Sequence, residues 1–152
     1  MTVLPTPGAM KRFRRTPWRF QQTFQTPLAD LDRFVSAIIS GPGKVEAGVV
    51  TLDQAIDSVN LSALLRTSPP TALVRDASLT AESPDEVGPL LRAAFSDWVD
   101  FLFVPTPKPF VIYADHDEYA TFYANTKSNL NQVVIPLSEL GFKKVLNWER
   151  RL

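Results

Sequence analysis

Thirteen prolines are spread through the 152 residues, and they hold the chain to short elements. Proline has no amide N–H and clashes with a preceding helical turn, so each one falls at a boundary, in a turn or at a kink. The cuts come at Pro5-Thr6-Pro7, Pro17, Pro27, Pro42, Pro69-Pro70, Pro84, Pro89, Pro136 and the stiff run Pro105-Thr106-Pro107-Lys108-Pro109. The length suits one domain, and 45% hydrophobic residues can supply its core. The absence of cysteine excludes disulfides, thiolate zinc sites and cysteine nucleophiles. It fits a reducing compartment, and a cytoplasmic location is expected. No stretch approaches the roughly 18 apolar residues of a membrane span, so no membrane partner is expected.

Between the prolines, helical signals dominate the first two thirds. Thr26 and Pro27 suit the cap and first position of a helix whose stripe is Leu28, Leu31, Val35, Ile38 and Ile39. Thr51-Leu52-Asp53-Gln54 has capping-box spacing, and Leu52, Ala55, Ile56 and Val59 then share a helical face. Asn60 recaps a short turn through Leu61, Leu64 and Leu65, which Ser68-Pro69-Pro70 ends. Thr71 to Val74 reads as a short strand. A third helix opens at Ser83-Pro84-Asp85-Glu86, or as late as Gly88, and carries Val87, Leu90, Leu91, Ala94, Phe95 and Trp98 on one face.

The last third reads as sheet. Phe101 to Val104, Phe110 to Ala114 and Tyr119 to Ala124 are strand runs. Asn125 to Ser128 leads into a helix with Leu130, Val133, Val134 and Leu137 on one face, kinked by Pro136. Gly141 stops it, and Phe142 to Trp148 is expected to return as a strand. The expected fold is therefore α+β, with N-terminal helices followed by a mostly antiparallel sheet and one crossing C-terminal helix. Residues 1–25 are expected as an extended basic arm, and residues 26–152 as a single α+β domain. The expected core includes Leu31, Val35, Ile38, Leu91, Phe95, Trp98, Phe103, Ile112, Phe122, Val134 and Leu137.

The formal net charge is zero, but the charges are divided along the chain. Residues 1–29 carry five bases (Lys11, Arg12, Arg14, Arg15, Arg19) and no acid. Residues 82–118 carry eight acids (Glu82, Asp85, Glu86, Asp97, Asp100, Asp115, Asp117, Glu118) against Arg92 and Lys108. Opposite surfaces of this kind favour an encounter with a charged partner. The densest cluster, Asp115-His116-Asp117-Glu118, holds the only histidine and lies between two strand runs, where a turn at a sheet edge belongs. The plainest reading of it is a solvated turn with Asp115 capping backbone amides.

Three function classes follow. The leading expectation is a non-enzymatic protein-binding module, of inhibitor or immunity type. Its partner surface would hold Asp97, Asp100, Asp115, His116, Asp117 and Glu118. The second class is a metal-dependent hydrolase using the Asp115–Glu118 turn, with His116 as a general base. Against it, strand alternation sends Asp115 and Asp117 one way and His116 and Glu118 the other. The third is a nucleic-acid binder, in which the arm's bases meet phosphates while Phe13, Trp18, Phe20 and Phe24 stack on bases. Nucleic acid is the less favoured partner, because these aromatics are more simply placed by folding back onto the core or by starting an edge strand. No phosphate loop, dinucleotide fingerprint or nucleophile motif occurs, so no catalytic residue, metal or cofactor is expected.

Overall fold

The computed structural model describes residues 1–41, 44–65, 73–107 and 109–151. Its frame is one seven-stranded antiparallel sheet in the order β1-β4-β3-β5-β6-β7-β2. The strands are β1 (Thr2–Pro5), β2 (Phe20–Gln25), β3 (Ala47–Asp57), β4 (Ala77–Ala81), β5 (Trp98–Thr106), β6 (Val111–Ala114) and β7 (Tyr119–Ala124). The helices are α1 (Ala9–Arg15), α2 (Leu31–Ser40), α3 (Val59–Leu65), α4 (Pro84–Ser96) and α5 (Lys127–Glu139). The α+β class holds, but the order differs from expectation. Strands and helices interleave from the start, and β1 to β4 all precede α4.

Period-2 alternation gives the sheet two different faces. Phe24, Val50, Leu52, Leu79, Phe101, Phe103, Ile112 and Phe122 join the main core together with residues of α2, α4 and α5. Those helices supply Phe34, Val35 and Ile38, then Leu90, Leu91 and Phe95, then Leu130, Val134 and Leu137. The alternate residues Leu102, Val111, Tyr113 and Tyr123 form a second, smaller cluster with Met10 and Phe13 of α1. Gly48 lies where a Cβ would sit 2.4 Å from the buried Phe103 ring, so only glycine lets β3 and β5 close at that register.

The expected basic arm is instead a strand–helix–strand unit. β1 and β2 occupy opposite edges of the sheet, so the segment between them has to cross its second face. That crossing lays Phe13 flat against Tyr113, with ring centroids 5.9 Å apart and an interplanar angle of 2°. Arg14 is paired with Asp53, and Arg12 donates to the Pro7 carbonyl at 3.1 Å. A stacking arm for nucleic acid is therefore not formed by Phe13 and Phe24, which are buried.

The helix expected from Thr51 is strand β3. Val50 and Leu52 point into the core while Thr51 hydrogen-bonds Ser78 at 2.8 Å on the other face. Register shifts between Leu52 and Gln54, and between Ala55 and Asp57, break the two-residue period. They leave apolar residues at spacings that imitate a helix. The first helix also starts later than expected. Leu28–Asp30 is a 3-10 turn, α2 begins at Leu31 with Asp30 at its cap, and Thr26 is buried with its amide donating to Glu118 O at 2.7 Å.

Two further expectations fail for reasons of direction. Trp98 continues the helical spacing of Leu91 and Phe95, but α4 stops at Ser96 and Asp97 is already extended. Trp98 therefore opens β5, 61% exposed. Residues 142–151 make one bridge, Lys144 with Phe24, and then turn at Asn147, whose φ is 58°. They lie along the β2 edge as an irregular strap. The expected stop at 68–70 and the first half of the strand at 71–74 lie outside the described residues. Leu73 and Val74 are not in a strand.

Candidate functional site

β5 pairs with β3 and β6 in registers that bring Gln54 beside Asp100, Asp57 beside Trp98, and Ala114 beside Phe101. One end of the sheet therefore collects β3 residues 54–57, β5 residues 98–100 and the 115–118 turn. All six acidic-site residues expected from sequence lie at or near this end, but they do different work.

Asp97 is structural. It is 7% exposed, and its carboxylate accepts the amides of Asn60 at 3.0 Å and Leu61 at 2.9 Å, plus the Asn60 side-chain amide at 2.8 Å. It caps the first turn of α3 from a distant part of the chain. Its expected place on a partner surface is therefore corrected. Asp115 is tied down as well. Its Oδ1 accepts the amides of Asp117 at 2.9 Å and Tyr119 at 3.1 Å, shaping the turn, and its Oδ2 meets Arg150 at 3.0 Å.

Arg150 is a residue that sequence reading missed. It also donates to Thr121 Oγ1 at 3.0 Å and Tyr119 O at 3.2 Å, and its guanidinium lies over the Tyr113 ring. The strap carrying it is fixed by reciprocal bonds between Gln21 and the Arg150 backbone. Asp53 and Tyr113 were missed too. The Tyr113 hydroxyl donates to Asp53 at 2.6 Å, and burial of the phenol pushes its pKa up. The alternation around Ile112 could have placed Tyr113 on the second face; nothing local could have found Arg150.

Asp100, itself buried, and His116 form a pair whose imidazole reaches the surface, so Asp100 too is corrected as a direct partner contact. Asp100 Oδ1 accepts the His116 amide and faces Nδ1, both at 2.8 Å. Nε2 lies 3.8 Å from Asp117. The hydrogen bond to Asp100 raises the His116 pKa, with Asp117 and Asp115 adding to the effect. A histidine whose folded pKa is raised stabilises the protein below its unfolded value of about 6.5, and that contribution is lost as pH rises through the folded value. Urea midpoints of the native protein and His116→Gln should therefore converge as pH rises above about 6.5. A difference that stays constant with pH would show that the imidazolium adds nothing to the fold.

Beside this pair stands Trp98, its ring centroid 6.2 Å from that of His116. Ile56 and Val59 are also exposed, at 51% and 68%. Asp57, Asp117 and Glu118 are exposed acids at the same end. An exposed tryptophan with aliphatic neighbours and a carboxylate rim is the composition of a binding hot spot. Among the described residues, no three His, Asp or Glu side chains are gathered as a metal-ligand set, and no helix is long and apolar enough to cross a membrane. Comparison with protein-family models, with curated proteins and with solved structures gives no match.

Proposed function

We propose that this protein is a non-enzymatic protein-binding module, of inhibitor or immunity type. In this reading it engages a basic partner through the sheet end around Trp98. The observation that carries the reading is Trp98 itself. It opens a strand whose next outward residues, Asp100 and Leu102, are buried, yet it stays exposed beside Asp57 and His116. Burying such a side chain gives an interface its central anchor, and the rim carboxylates steer a basic partner toward it. Asp117 and Glu118 are the exposed charges of the turn; Asp100 and Asp115 act by holding it in place.

Parallel capture from an extract of the native host, with the native protein and Trp98→Ala as baits, tests the reading. A specific partner should be retained by the first and lost by the second, with circular dichroism unchanged. Its affinity, measured after purification, should fall at least about tenfold in the variant, since a hot-spot truncation costs about 2 kcal/mol or more. Equal affinities would remove Trp98 from the interface and the reading with it.

A further inference from the structure

On the second face of the sheet, beyond the Trp98 end, two arginines converge on a single carboxylate. Arg14 of α1 pairs with Asp53 Oδ2, and Arg75 Nε lies 3.5 Å from Asp53 Oδ1. The same Oδ2 also accepts the Tyr113 hydroxyl. Two guanidinium charges against one carboxylate leave this group with an excess of one positive charge. Each guanidinium carries five N–H donors, and Asp53 engages only a small part of them. The 3.5 Å separation is longer than a hydrogen bond, and Arg75 is 64% exposed, so its planar fork is held loosely.

The arginines border an open cavity of about 530 Å³. Ala55, Leu73 and Val74 add apolar surface to its lining, alongside Gln54 and Asp53. α1, which carries Arg14, brings no acid of its own to the group. Of the neighbouring carboxylates, Asp76 spends its acceptor positions on the amides of Gly8 and Met10, both at 3.3 Å, and Asp100 faces His116.

We propose that this cavity binds a small organic carboxylate, with the anionic group held bidentately by Arg75 and Arg14 and the apolar body against Ala55, Leu73 and Val74. Guanidinium matches a carboxylate with two parallel N–H bonds, and this pairing is stronger than a neutral contact. The apolar wall distinguishes an organic anion from a bare inorganic one.

Calorimetric titration of the full chain with benzoate, benzyl alcohol and inorganic phosphate tests the site. Benzoate should saturate at millimolar concentration or below, while benzyl alcohol should not bind and phosphate should bind more weakly than benzoate. Arg75→Gln should weaken benzoate at least about tenfold, a change of about 1.4 kcal/mol. Arg15→Gln, on the exposed side of α1, should leave it within about twofold, since a single remote surface charge is largely screened. Failure of benzoate to saturate, or equal affinity in Arg75→Gln, would overturn the proposal. So would an equal loss in Arg15→Gln, which would mean a diffuse field in place of a site, or tighter binding of phosphate than benzoate. None of these readings depends on Trp98, so the outcome is separate from that of the protein-binding reading.

Discussion

Replacing Arg150 by methionine should lower stability by about 3 to 5 kcal/mol, the usual cost of breaking a buried ion pair from one side. The side chains of Arg150 and Asp115 are 11% and 15% exposed. Methionine keeps much of the stem's apolar area, so the loss reports on the guanidinium. Without it, Asp115 Oδ2 is left facing a poorly hydrated surface, and Thr121 and the Tyr119 carbonyl lose a donor. The strap loses its polar anchor, while Phe142 still holds its start in the core. Urea unfolding should show a lower midpoint with an unchanged slope. In the double variant Arg150→Met with Asp115→Asn, part of the loss should return, because the stranded charge is gone. A single-variant loss under about 1 kcal/mol would class the pair with ordinary surface salt bridges.

Asp97→Ala should cost about 2 to 3 kcal/mol. Three donors converge on this carboxylate, and hydrogen bonds to a charged group contribute about 1.5 to 3 kcal/mol each before the side chains relax. α3 spans seven residues and is too short to persist without its cap and its packing. The Asn60 and Leu61 amides should lose hydrogen-exchange protection ahead of the rest of the chain. Asp97→Asn, which keeps an acceptor, should recover part of the loss. Unchanged protection at those two amides would show that α3 is held by Leu61 in the core alone.

The parts of the fold that were legible in sequence are those whose partners are close along the chain. β6, the 115–118 turn and β7 form a hairpin, and their apolar runs and turn chemistry lie within 14 residues (111–124). Asp115 as a cap of turn amides was readable for the same reason. α4 and α5 carry full helical stripes; Thr126 caps α5 by accepting the Asn129 amide as its position suggests, whereas Ser83 at the start of α4 makes no side-chain cap bond. An edge strand among the N-terminal aromatics was legible, but the partners of the edges were not. β1 is held by Thr2 against Thr80, and β2 by Phe24 against Ala120, partners that no local pattern announces. The bulges of β3 erased its alternation. Within the candidate site, the turn could be found, but its two holders could not: Asp100 reaches His116 across a strand pair, and Arg150 reaches Asp115 from the C-terminal strap.

These holders change which charges can test the surface. Reversing Asp115 would disrupt the turn and the strap together, so the informative pair is Asp117 and Glu118, both exposed; Asp117 meets His116 Nε2 only at 3.8 Å and holds neither the turn nor the strap. The most direct measurement is the association rate of the captured, purified partner with Asp117→Lys/Glu118→Lys, set beside the native protein at low and physiological salt. Steering by rim charges acts on the on-rate and is screened by salt. The double variant should associate at least about tenfold more slowly at low salt, with the gap narrowing as salt rises. An on-rate equal to that of the native protein at both salt concentrations would contradict the assignment of the acidic sheet end as the binding surface.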